Sequence, residues 1–133
     1  MLSTSKLQPI ICTSRMEEAE QFYSRTLGLA LKGRSLGSLV FQLGTGTLRV
    51  SPVLSSQPST HTVLGFAVTN IRDIVHALRA SGVRMEEFEN FAHDLDGIVR
   101  VPDGTQVAWF RDPDGNLLSV VQYLTEDGIS SQD

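Results

Sequence analysis

Residues 110–121 read FRDPDGNLLSVV, a tight turn that runs straight into an apolar strand. The DPDG segment has the chemistry of a type I turn, with Pro113 at its second place and Gly115 closing it. Asp112 and Asp114 then read as turn formers rather than as a catalytic pair. The polar residue inside the strand is Ser119, between Leu118 and Val120. A small hydroxyl in that place asks for an explanation.

Working outward, the chain states one pattern twice. LQPIICT (7–13) reads as a strand, and SRMEEAEQFYSRTLGL (14–29) as a helix. Met16, Ala19, Phe22, Tyr23 and Leu27 put apolar groups on one helical face. Ser14 with Glu17 has the form of a capping box, and Gly28 is a helix stop. Strands are predicted at 38–44 and 47–53. The Ser/Pro-rich segment 55–60 is a linker, and the pattern restarts after it.

A strand (62–68) leads into a helix (69–83) with Ile71, Ile74, Val75 and Leu78 on one side. Thr69 or Asn70 caps its start and Gly82 ends it; strands follow near 97–101, at 105–110 and at 116–124. Aligning Thr13 with Val68 sets Met16 on Ile71 and Tyr23 on Leu78 without a gap. The expected fold is α+β, two tandem βαβββ modules over residues 6–54 and 61–124. A frayed polar tail is expected over 125–133.

The 133 residues are 41% hydrophobic, enough for the core of one domain. A net charge of −4 and the lack of a Lys/Arg-rich stripe argue against nucleic acid. No apolar run approaches the roughly 18 residues of a membrane span. The N-terminal MLSTSKLQPI does not have the form of a signal peptide, and a single Cys12 suits a reducing, cytoplasmic setting.

QFYSRTLGL after the first strand, LRASGV closing the second helix and WFRDPDGNLLSVVQ near the end resemble the vicinal oxygen chelate superfamily. This superfamily includes glyoxalase I, extradiol dioxygenases and bleomycin-resistance proteins. The resemblance covers roughly residues 6–124. It implies that the two modules form a curled, cup-shaped mixed sheet with helices outside. In the metalloenzyme members, four strand residues bind a divalent metal in the cup. The matching positions here are Gln8, Arg49, Val63 and Ser119. Only the glutamine is an accepted ligand, a guanidinium has no lone pair to give, and Ser119 stands where a glutamate is kept. Ser119 is thus a vacated ligand position, and the expected cofactor set is empty.

Strand alternation groups Gln8, Ile10 and Cys12, then Arg49, then Val63, Gly65 and Ala67, then Leu117, Ser119 and Val121 as cup-facing. Trp109 and Tyr123 are expected to supply aromatic walls with Phe41, Phe88 and Phe91, although Phe41 and Trp109 suit the core equally well. A cup-facing Arg49 needs a partner: a ligand carboxylate or phosphate, or else Glu89 or Asp94, unless strand curvature turns it to solvent. No nucleophile has a matched base, since Cys12 has no histidine near it in sequence and Ser119 lacks a G-x-S-x-G setting. The resulting expectation is a metal-free, small-molecule-binding homodimer of the bleomycin-resistance type, with the loss of three of the four ligand positions weighing against an enzyme without deciding it. The alternative is a lyase, isomerase or dioxygenase with a rearranged metal site built from Gln8, His61 and His93, the last swinging over the cup with Glu89. His76 is expected on the surface of the second helix.

Overall fold

The apolar face at Met16, Ala19 and Tyr23 forms a helix, α1 (Met16–Gln21), that widens into a π turn over Phe22–Thr26. Gly28 ends it at φ 74°, where the Leu29 N–H reaches back to the Tyr23 carbonyl. The helix starts later than the capping box predicts. Arg15 occupies the N-cap place without a side-chain cap bond, and the Thr13 hydroxyl accepts the Arg15 N–H at 3.0 Å. This computed structural model describes residues 1–44 and 46–125. From residue 126 on, the expected tail lies outside the described residues. The chain divides into two compact units, Met1–Pro58 and Ser59 onward, each with its own four-stranded sheet.

In the first unit the strands are β1 (Ile10–Thr13), β2 (Ala30–Ser35), β3 (Ser38–Leu43) and β4 (Gly46–Pro52). Their order is β1-β4-β3-β2, with β1 parallel to β4 and the other pairs antiparallel. Ile11, Val50 and Leu39 lie in one row and are buried, and Tyr23 brings its ring to 6.0 Å from that of Phe41. Phe41 is therefore core. β2 is not predicted from the sequence, for a physical reason. Its residues ALKGRS are almost all exposed at the sheet edge, so they carry no alternating apolar signal.

The second unit repeats the plan with β5 (Thr62–Ala67), α2 (Ile71–Ala80), β6 (Val99–Arg100), β7 (Gln106–Arg111) and β8 (Leu117–Gln122). The order is β5-β8-β7-β6, and β5 is parallel to β8. Ile71, Val75 and Leu78 bury one face of α2, which packs on β7 and β8. Asn70 is the N-cap residue, but the first N–H of the helix, that of Ile71, is satisfied by Gln122 Oε1 at 2.9 Å.

The two parallel pairings have the same register. Ile10 pairs with Arg49 and Gly65 with Ser119, and the gapless alignment of Thr13 with Val68 makes Ile10 and Gly65 equivalent. The duplication read from the sequence is a structural repeat. Phe110 is 1% exposed in the second core. Its replacement in Phe110→Ala is expected to remove about 3–5 kcal/mol of stability. Val63→Ala, at a side chain 51% exposed, should change stability by under about 0.5 kcal/mol. Urea unfolding of both variants checks the contrast; equal losses would contradict this core assignment.

Candidate functional site

Residues paired across neighbouring strands share a face, so register shows what each sheet presents opposite its core. On the first sheet, Ile10, Arg49 and Val40 form one row and Cys12 with Ser51 begins the next. Arg49 lies on this open face, half-buried, and its Nη1 donates to the Ser35 carbonyl at 3.3 Å. Among the described residues no carboxylate forms an ion pair with it, and Asp94 is paired instead with Arg72 at 3.0 Å. Gln8 precedes β1; its amide nitrogen donates to the Thr47 carbonyl at 3.1 Å and, more weakly, to that of Pro9. Cys12 is exposed.

On the second sheet, Gly65, Ser119 and Trp109 form a row across β5, β8 and β7. Ser119 is 8% exposed, and its hydroxyl has no hydrogen-bond partner among the described residues. A Cβ added to Gly65 would stand 3.0 Å from that oxygen, so the small residue keeps the space beside Ser119 open. Val63 departs from simple alternation. Thr62 pairs with Leu117 and Leu64 with Leu118, which makes Val63 the extra residue of a bulge. Tyr123 lies just past β8 and is exposed.

Trp109 is half-buried at the centre of an aromatic cluster. Phe91 stacks on it at 5.4 Å with 28° between the planes, and Phe88 meets it edge-on at 5.2 Å. Both rings come from the loop that carries His93, whose own ring lies 6.1 Å from Trp109. The Phe88 N–H donates to His93 Nε2 at 2.9 Å, and Nδ1 lies 2.8 Å from the Gly97 carbonyl. His93 thus reaches over this face as a strut of the loop, with both ring nitrogens engaged. His61 is exposed just before β5.

Of the four positions that correspond to metal ligands, Gln8 alone carries a usual ligand atom, its amide oxygen. The Arg49 guanidinium has no lone pair to give and is bonded to Ser35, while Val63 has no donor atom. A lone serine hydroxyl does not replace a carboxylate as ligand.

The comparisons with known proteins agree with this architecture. The family model described as Glyoxalase/Bleomycin resistance protein/Dioxygenase superfamily matches residues 6–120. The chain belongs to this superfamily. Among solved structures, a lactoylglutathione lyase from Agrobacterium tumefaciens is 18% identical, with a TM-score of 0.70 over 92% of this chain and 96% of that one. A glyoxalase/bleomycin resistance protein/dioxygenase from Alicyclobacillus acidocaldarius is 16% identical, with a TM-score of 0.69 over 96% and 97%. A further superfamily member, from Nocardioides, is 19% identical, with a TM-score of 0.68 over 100% and 93%. At such identities the likeness shows the fold alone. No curated protein sequence matches significantly.

One feature of this superfamily member escaped the sequence reading. Arg72, His76 and Arg79 fall at i, i+4 and i+7 on α2, and all three meet the Asp96 carboxylate. His76 is exposed as expected, yet it is paired, 3.0 Å from Asp96. The helical spacing of three basic groups opposite the AHDLDG loop was the available signal. The hydrogen bond from His76 is the main influence holding the Asp96 carboxyl below its ordinary value of 3.8; desolvation opposes it and Arg72 assists it. Burial pushes Asp94 up, but hydrogen bonds from Arg72 and from the Ile98 and Asp96 N–H groups outweigh that push and leave it lowered too.

Both carboxyls bind protons less readily folded than unfolded, so their stabilisation is complete above the ordinary value and is lost as pH falls through the folded values. Tm should therefore drop on acidification below 3.8, the ordinary carboxyl value. Asp96→Asn should lower Tm at pH 7 and flatten that acid limb. The effects are modest because the pairs are solvent-screened. Thermal melts across pH check this, and an acid limb unchanged in the variant would count against a stabilising role for the Asp96 pairs.

Proposed function

We propose that this chain binds a small, partly aromatic molecule on the open face of its second sheet and needs no metal to do so. The observation that carries the reading is Ser119. The Ser119 hydroxyl has no protein partner among the described residues and its oxygen is not sealed from the surface, so a ligand group can bond to it. Gly65 leaves space on one side of it, and Trp109 offers an aromatic wall on the other. An apolar surface with one fixed polar handle is how small-molecule sites are commonly built. Gly65, Trp109, Ser119 and Tyr123 are the contact residues on this face, with the exposed Val63 at its edge.

On the open face of the first sheet, Arg49 is proposed to take an anionic group, with Gln8 and Cys12 as its neighbours. The same reading proposes a cytoplasmic homodimer that sequesters or carries its ligand rather than transforming it. No helix among the described residues is long and apolar enough to cross a membrane.

Native mass spectrometry with elemental analysis of freshly purified protein tests metal content, retained ligand and subunit number together. Stoichiometric Zn, Ni, Mn or Fe without added metal would end the metal-free reading. Trp109 is the single tryptophan, so its emission reports on this face directly. Planar aromatic compounds are expected to quench it saturably. Ser119→Val should weaken those carrying a hydrogen-bonding group by about 0.5–1.5 kcal/mol, roughly two- to tenfold in Kd. A broad panel without saturable quenching would sink the binding proposal.

A further inference from the structure

The loop that carries Phe88 and Phe91 is held on Trp109 through an imidazole with one workable protonation state. The Phe88 backbone N–H can only donate, so His93 Nε2 must present its lone pair. The Gly97 carbonyl can only accept, so Nδ1 must carry the hydrogen. The tautomer follows from the partners. Gly97 is itself fixed in place: its φ is 87°, and a Cβ there would meet that of Met85 at 3.0 Å. Beyond it, the Asp94 N–H donates to the Ile98 carbonyl at 2.9 Å, and Asp94 Oδ1 accepts from the Ile98 N–H at 3.0 Å. One side of the imidazole therefore rests on an anchored turn, and the other holds the loop that supports both phenylalanines.

We infer that His93 is a proton-sensitive clasp, closing the Phe88–Phe91 loop over Trp109 while its imidazole is neutral and releasing it when protonated. A proton on Nε2 sets N–H against N–H and removes the bond to Phe88. Phe91, already 41% exposed, then keeps its stacking on Trp109, its ring contact with His93 and the bond from its N–H to the Phe88 carbonyl within the same loop. The charged groups around the imidazole come from three elements. Arg72 of α2 and Arg100 of β6 line, with His93 and Asp94, an open pocket of about 330 Å³. The loop itself carries Glu87 and Glu89. From β7, Gln106 and Trp109 approach without charge. Glu86, bridged to Trp109, is paired with Arg111. Asp94 and Asp96 are both held below the ordinary carboxyl value, so the anchored side stays charged where imidazoles titrate.

The experiment uses the ligand-free full chain and so does not depend on the binding proposal. Acrylamide quenching of Trp109 is measured from about pH 8 to pH 5, the range in which imidazoles gain a proton. The quenching constant is expected to rise on the order of twofold as the indole loses its stacked neighbours. His93→Gln, whose amide oxygen accepts from Phe88 without titrating, should stay at the low value throughout. His61→Gln and His76→Gln should keep the rise. A flat profile in the unmutated protein, or a rise that persists in His93→Gln, overturns the clasp. Should His93→Gln not fold, the Phe88 amide proton in the unmutated protein decides: its NMR signal must move upfield over the same pH range, and a constant shift refutes the inference.

Discussion

The second sheet depends on how one buried carboxylate is satisfied. Asp112 is 6% exposed, and its Oδ1 accepts the N–H groups of Asp114 and Asn116 at 3.0 and 2.9 Å. Its Oδ2 accepts from the Asn116 side-chain amide at 2.8 Å. These bonds close the turn in one conformation, with Gly115 at φ 84° and its N–H on the Asp112 carbonyl at 2.9 Å. A hairpin turn sets the register of the strands it joins, and a one-residue slip would exchange the faces of β8. Ser119 is opposite Trp109 and beside Gly65 because this turn counts correctly.

The turn also reaches further. Arg111 Nη1 donates to the carbonyls of Ser59 and Gly115, both at 2.8 Å, while its Nε meets Glu86 at 3.1 Å. Glu86 bridges to Trp109 just before the loop that brings Phe88 and Phe91 onto the indole. The Ser59 hydroxyl accepts the Leu117 N–H at the start of β8. The motif that identifies the superfamily is thus also the junction that ties the start of the unit to its last strand and to the aromatic loop. The cost of burying Asp112 and Arg111 is offset because their polar atoms find several partners at once.

What could be read from the sequence was whatever carries periodic burial. Ala19, Tyr23, Val75 and Leu78 repeat at helical spacing because they are buried, so both helices and their duplication were legible. β2 was not, since an exposed edge strand places no demand on its side chains. The site divides in the same way. Alternation correctly grouped Gly65, Ala67, Ser119 and Val121, but it overran Val63, because a bulge changes the count without altering composition. From the sequence His93 was read as a loop residue, a ligand only in the alternative metal site, and not as a strut of its loop. Its two hydrogen bonds run to backbone atoms, which leave no trace in side-chain identity.

The repeat also shows where the modules were free to diverge. Ile11, Leu39 and Val50 in the first unit, and Leu118 and Val120 in the second, are buried opposite the open faces, so packing constrains them. The open faces escape that constraint. At equivalent places in register one unit pairs Ile10 with Arg49 and the other pairs Gly65 with Ser119. One face is polar, with the Ser38 and Ser51 hydroxyls 2.8 Å apart, and the other is small, apolar and aromatic. The metal site that the superfamily resemblance implies asks donor atoms of all four positions, and Arg49 and Val63 have none to give. On the metal-free reading proposed above, each position answers only to its own sheet. A guanidinium can then stand where its twin in the repeat is a serine, while the parallel pairing beneath both stays in register.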